Sequence, residues 1–344
     1  MATKACLYNS PSDLLNINTL PPDNLTDVVS ACFEEICRLV YGPGNPDLAG
    51  TGVITSYAIQ IALAVLFGPA MMLDLVILPL CLHGYSPKRF SLWIAKQHEM
   101  CLWSQVLFFV AVSIASCVQQ YQSGTFVYQN AVMIHLVSIV SSSCLSTASA
   151  FFFPVKKLGR FFFLLVVGHI MAAFTCVAPF IRHFQFDHIF RVCMVEAGKR
   201  KLVSESIFLQ PYYHPFSIVR GGLAIIIIGA MVFLWTILRR RGPQWKPEEE
   251  KLDEFRRKDS FTKGCVLVMF ALSIGLLMWS SFALYRVLHF RQDLFSFWDG
   301  KTGEEVWGFG QVSALFVWAP LLAELGDPAF TLLGTSLRIH KTPI

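Results

Sequence analysis

The chain reads as an all-α polytopic membrane protein, a bundle of about seven transmembrane helices with the N-terminus lumenal and the C-terminus cytosolic. Three observations carry this reading. Hydrophobic residues make up 54% of the 344 positions, charged residues make up 15%, and mean hydropathy is +0.53. Average soluble domains carry about 25% charged residues, and one buried core could not absorb this much apolar surface at this length. The apolar residues also gather in uncharged runs of about 20, the length that crosses a bilayer. Finally, Lys and Arg are shared unequally between alternate loops. Disorder is excluded for most of the chain. A net charge of +5 is too modest to point to a nucleic-acid partner.

The first candidate span runs from Thr51 to Leu82 and is interrupted by Gly68-Pro69. Too few residues exist there for two crossings, so a tilted or kinked helix is expected. The others run from Met100 to Val118, Phe126 to Phe152, Leu158 to Ile181, Phe216 to Leu238, Gly264 to Leu288 and Val306 to Leu325. The apolar stretch from Pro328 to Leu337 is too short to cross. One set of loops holds Lys88, Arg89, Lys96, Lys156, Lys157, Arg160, the basic residues between Arg239 and Lys263, Arg338 and Lys341. The opposite set holds fewer, offset by Asp and Glu, so the first set is cytosolic. The chain divides into a lumenal segment 1–50, a transmembrane domain 51–337 containing a charged cytosolic loop 239–263, and a cytosolic tail 338–344.

The opening MATKACLYNSPSDLLNI has no basic stretch leading into an apolar core, so a cleavable signal peptide is not expected. The first span then translocates the N-terminal segment, including the sequon Asn24-Leu25-Thr26, which makes Asn24 the glycosylation candidate. No myristoylation or prenylation motif is present. Of the 10 cysteines, Cys81, Cys101, Cys117, Cys144, Cys176 and Cys265 fall in or beside spans and read as small packing residues. Cys6, Cys32, Cys37 and Cys193 all fall in lumenal segments, where disulfides form. Four cysteines allow three pairings, and spacing does not choose among them.

Ionisable residues at membrane depth are functional candidates by default. At 1.5 Å per residue, Asp74 falls past mid-membrane towards the cytosol on the first span. Glu324 sits near the cytosolic end of the seventh, with Asp327 just beyond, and His98 and Glu99 stand at the cytosolic start of the second. Three helices thus bring carboxylates to one level. The competing accounts are a structural hydrogen bond to a neighbouring helix for Asp74 and contact with interfacial water for Glu99 and Asp327. His135 and His169 fall near mid-depth on the third and fourth spans, where a structural role is the commoner one. Two histidines are too few ligands for a metal site, so neither a metal nor another cofactor is expected.

Aromatic residues are abundant: 30 Phe, 9 Tyr and 8 Trp. A subset lining a pocket stabilises a positive centre by cation–π attraction, and Trp103, Trp279, His135 and His169 are the substrate-contact candidates. Carboxylic acids above a dry aromatic pocket are what a proton-initiated cyclisation requires. A desolvated carboxyl stays protonated near neutral pH and can donate to an epoxide or alkene, and exclusion of water protects the carbocation. Glu324, Asp74 and Glu99 are the catalytic candidates.

Two segments carry a family resemblance. The last span opens EEVWGFGQVSALFVWAPLLAEL, with Trp307-Gly308-Phe309-Gly310-Gln311 ahead of a Pro-containing apolar helix. The segment ACFEEICRLVYGPGNPDLAGTGVITSYAIQ carries Gly42-Pro43 and Gly50-Thr51-Gly52 into the first span. Together they resemble the fungal membrane-bound terpene cyclases of the ascofuranone and ascochlorin type. The resemblance implies acid-initiated epoxide opening and ring closure of a prenylated (farnesyl) aromatic meroterpenoid in secondary metabolism. It also implies an endoplasmic-reticulum membrane, contact with membrane lipids, a lipophilic epoxidised substrate and coupling to a membrane-bound epoxidase. The competing classes are a receptor-like seven-helix protein, for which no DRY-like or NPxxY-like motif is present, and a transporter, for which no inverted repeat is visible.

Overall fold

The computed structural model describes residues 6, 8, 13–17, 19–42, 45–82, 89–123, 127–150, 158–181, 187–200, 229, 260–297 and 309–323. Among these the secondary structure is entirely helical. Three helices are long and apolar enough to cross a membrane: Pro46–Ile77, Ser91–Gln119 and Lys263–Gln292. Val132–Ala148 and Arg160–Thr175 are shorter apolar helices. The span expected at 216–238 apart from Gly229, most of the loop 239–263 and the tail 338–344 lie outside the described residues.

The N-terminal part forms four short helices, α1 (Asp13–Ile17), α2 (Pro22–Ala31), α3 (Phe33–Tyr41) and α4 (Pro46–Ala49). Gly42 follows α3 with φ 80°, a left-handed conformation that glycine adopts without penalty. Asn45 then caps α4, its side-chain oxygen accepting from the Asp47 N–H at 2.9 Å. Helices α2 and α3 pack on α10 (Asp187–Lys199). Disulfides Cys6–Cys32 and Cys37–Cys193 choose one pairing of the three, the second joining residues 156 positions apart. The Arg200 guanidinium covers the Phe33 ring at 4.1 Å and donates to the Ser30 carbonyl at 3.1 Å. Tyr41 meets the Phe190 ring at 5.8 Å and donates to the Met194 sulfur. Proteolytic cleavage anywhere between Cys37 and Cys193 should therefore leave two fragments that separate on a gel only after reduction. Separation without reductant would refute the long-range bridge.

The first long helix begins with α5 (Thr51–Val65) and continues through π-helical turns at Leu66–Ala70 and Leu73–Ile77 into α6 (Leu78–Cys81). The break falls at Gly68-Pro69, as their chemistry requires. Pro69 has no N–H and its ring clashes with the carbonyl four residues back, and Gly68 absorbs the change with φ −99° and ψ −105°. Each π turn takes an extra residue into the same rise, so the chain from Pro46 to Ile77 remains one long helix.

The second long helix, α7 (Arg89–Ser123), starts well before the expected Met100. His98 and Glu99 therefore stand in its interior and not at its start. The hydropathy pattern stops at Lys96, His98 and Glu99, but the buried stripe does not. Ser91, Ile94, His98, Leu102 and Gln105 are all buried at helical spacing, and Lys, Gln and Glu are good helix formers. The same reasoning extends α11 (Ser260–Phe297) beyond Leu288, where Phe290 continues the buried face of Arg286 and Val287. Helices α8 (Val127–Ala148) and α9 (Leu158–Ile181) fall where the third and fourth spans are expected. The last, α12 (Phe309–Phe316), ends in a turn at Val317–Trp318 before Pro320.

Helix α8 is the hub, packing against α5, α7, α9 and α11. From Val132 to Ala150 every side chain except Ser138 is buried, the signature of a helix enclosed on all faces. Its serines let α11 come close, and hydrogen bonds join the two helices. Ser142 and Ser280 hydroxyls are 2.6 Å apart, Ser143 donates to Ser280 at 3.1 Å, and Ser146 and Ser273 are 2.8 Å apart. Interhelical hydrogen bonds of this kind average about 0.6 kcal/mol each. Large apolar side chains cover the outer faces: Phe163, Ile170 and Phe174 on α9, and Met278, Phe282 and Tyr285 on α11.

Candidate functional site

The hydrogen bonds between helices set the relative depth of each candidate. Helices α7 and α8 run antiparallel, with the His98 imidazole on the Thr147 carbonyl at 3.2 Å and Gln119 on Gln129 at 3.2 Å. Helices α5 and α8 run parallel, with Gln60 on the Val140 carbonyl at 3.4 Å and Ser149 on the Met72 sulfur at 3.8 Å. On this ladder Glu99 is level with about Ser146, and Asp74 falls past the C-terminal end of α8 at Ala148. The two carboxylates thus differ in depth by about 7 Å at 1.5 Å per residue. Both are half-buried. Asp74 sits in the second π turn, which packs against α7. Glu324 and Asp327 lie outside the described residues.

Glu99 and Trp103 are four residues apart on α7, and so share a face of the helix. Trp103 meets the Phe161 ring of α9 edge-on at 6.1 Å, and Phe161 meets Phe162 at 5.7 Å. A carboxyl therefore stands one turn from a run of aromatic rings. Trp279 is not part of this group. It is partly exposed on the outer face of α11, beside the exposed Phe282 at 6.0 Å.

The histidines lie elsewhere. His169 is buried, with Nδ1 on the Leu165 carbonyl at 2.7 Å and Nε2 on the Ser141 hydroxyl at 2.8 Å. Only an N–H bonds a carbonyl, so Nδ1 carries the proton and Nε2 accepts from Ser141. Both ring nitrogens are thereby committed to structure. His135 is buried with its ring 5.5 Å from Phe290. On the helix ladder His135 is about eleven residues from the level of Glu99, and the His169 ring packs on Phe109 at 4.6 Å, ten residues along α7 from Glu99. Arg286, buried within α11, stacks between Phe282 and Phe290 at 5.7 Å each and is level with His135.

Several buried polar residues were absent from the sequence-derived candidates: Gln60, Gln105, Ser56 and the serines of α8. Gln60 and Gln105 each interrupt an apolar run with one amide, and the run SSSCLSTAS marks α8 by its small side chains alone. Ser56 donates to the Ala314 carbonyl at 2.8 Å and accepts from the Trp318 indole N–H at 2.8 Å, fastening α12 to α5. Trp318 is fully buried, and Phe108 meets its ring at 5.2 Å and that of Tyr57 at 5.8 Å.

Gly68 stands where the first helix crosses α8 and α11. A Cβ there would lie 2.9 Å from the Ser146 carbonyl oxygen and 3.2 Å from the Ser273 hydroxyl. Gly68→Ala should accordingly destabilise the bundle by about 1–3 kcal/mol, as overpacking of a filled core does. Thermal unfolding in lipid nanodiscs checks this, and an unchanged midpoint would mean the crossing is looser than the geometry indicates.

Among the described residues no group of three or more His, Cys, Asp or Glu could hold a metal ion. Asn24 is exposed in the first turn of α2, with the Thr26 hydroxyl bonded to the Pro22 carbonyl at 2.9 Å. The fold and buried polar seam define the class: a protein whose described residues are helical, with helices long and apolar enough to cross a membrane. No family model matches the chain, and no curated protein or solved structure matches it.

Proposed function

We propose that the chain is a membrane-bound terpene cyclase that opens the epoxide of a prenylated aromatic and closes rings from its terpenoid chain. One observation carries the reading. Glu99 stands one helical turn from Trp103, whose ring meets Phe161 edge-on, so a proton donor and a cation-stabilising surface share one face of α7. Asp74 supports it from the neighbouring π turn, an irregularity frequent at functional sites, and Glu324 is the third carboxyl assigned to the same work. The carboxylic acid gives its proton to the epoxide oxygen and the C–O bond breaks. A neighbouring alkene then attacks the cationic carbon to form a C–C bond. Loss of a proton from carbon to a carboxylate ends the sequence, so the product is an isomer of the substrate and needs no cofactor.

The proposal extends to topology: seven spans, with the N-terminal segment lumenal and the C-terminus cytosolic in the endoplasmic-reticulum membrane. Four helices, the first long helix with α7, α8 and α9, separate Cys37 from Cys193. An even number of crossings returns the chain to the side it left, where an oxidising lumen allows the bridge.

A tertiary-ammonium analogue carrying its charge at the cation position tests the chemistry. It should bind at least about a hundredfold more tightly than the neutral isostere, the lower end for transition-state mimics, and Trp103→Leu should weaken it selectively. Equal affinity for the charged and neutral compounds would remove the basis for a cation-stabilising pocket.

A further inference from the structure

Gln60 and Gln105 face each other near the middle of two of the long helices, Pro46–Ile77 and Ser91–Gln119. Both are fully buried. Gln60 Nε2 donates to Gln105 Oε1 at 3.1 Å and to the Val140 carbonyl of α8 at 3.4 Å, while Gln105 Nε2 donates to the Gln60 backbone carbonyl at 3.3 Å. The two carbonyls fix the orientation of both amides, because turning either would set oxygen against oxygen. In this orientation Gln60 Oε1 is buried without a hydrogen-bond partner among the described residues. Buried acceptors are nearly always satisfied, and more strictly so at a depth where bulk water does not reach. One turn along the same helices, the Tyr57 and Phe108 rings meet at 5.8 Å.

We infer that the Gln60–Gln105 pair is a binding site for a hydroxyl donor in the core of the bundle, Gln60 Oε1 accepting the O–H of an apolar alcohol or phenol or of an ordered water. The site is separate from Glu99, six residues away along α7, and it would exist in a chain with no cyclase activity.

The test uses the full chain in lipid nanodiscs, titrated with 4-nonylphenol and with its methyl ether, which has the same shape and no donor. A ligand hydroxyl on Gln60 makes the phenol bind about five- to tenfold more tightly, as a single hydrogen bond does. That preference disappears in Gln60→Met, or in Gln60→Asn, which withdraws the amide by one carbon. A water on Gln60 leaves the two probes equal but gives an O–H infrared band that shifts in H₂¹⁸O and is absent from the variant. A phenol preference that survives both substitutions overturns the site, as does equal binding with no isotope-sensitive band.

Discussion

Turnover should fall by about 10²–10⁴-fold, the usual contribution of general acid catalysis, in at least one of Glu324→Gln, Asp74→Asn and Glu99→Gln. Each change keeps the shape and hydrogen-bonding capacity of the side chain and removes the transferable proton. From the sequence Glu324 is the expected donor, for its reach and its place four residues after Pro320, with Asp74 as its partner, whereas the proposed function itself rests on Glu99. The contact of Trp103 with Phe161 makes Glu99 the carboxyl with the best-defined aromatic surroundings. His169→Gln should cost far less activity, because both ring nitrogens already hold structural bonds. Product formation by folded, membrane-inserted variants checks this, and near-normal turnover in all three carboxamides would end the acid mechanism for these residues.

The largest effect on stability is expected at Trp318, the largest of the fully buried side chains among the described residues. Trp318→Ala should destabilise the bundle by about 3–5 kcal/mol, because it opens a cavity between α5, α7 and α12 and leaves the Ser56 hydroxyl without its donor. Trp318→Phe keeps the ring contact with Phe108 and loses only the N–H, so it should cost about 1 kcal/mol. Unfolding midpoints in nanodiscs should rank wild type above Trp318→Phe and Trp318→Ala last. If both variants unfold together, the indole bond outweighs the packing; if neither moves, α12 is not held by this contact.

Much of the helical layout was legible because two signals were strong. Gly68-Pro69 can do little else in a helix but break it, and α9 runs from Leu158 to Ile181 because its apolar run is bounded by charge. Helix ends marked by charge were less legible. Lys96, His98 and Glu99 look like a boundary to a hydropathy window, yet they ride on a helix whose buried stripe continues through them. Depth was misleading for a related reason. A level counted from the start of a span shifts when the helix begins earlier and when π turns absorb residues, which is how Asp74 and Glu99 come to differ by about 7 Å at 1.5 Å per residue. Cys6, Cys32, Cys37 and Cys193 were visible as a set, but their pairing depends on how α2, α3 and α10 pack. The Gln60–Gln105 pair was hidden because a single amide in an apolar run carries no periodic signal. Its meaning comes from the partner helix.

The central claim is tested most directly by the full chain, purified into lipid nanodiscs and given an epoxidised farnesyl phenol with no added cofactor. Wild type should form a new product of unchanged mass, with the epoxide gone and rings formed, and none should appear when Asp74, Glu99 and Glu324 are all carboxamides. Recovery of the intact epoxide from folded wild-type protein would contradict it.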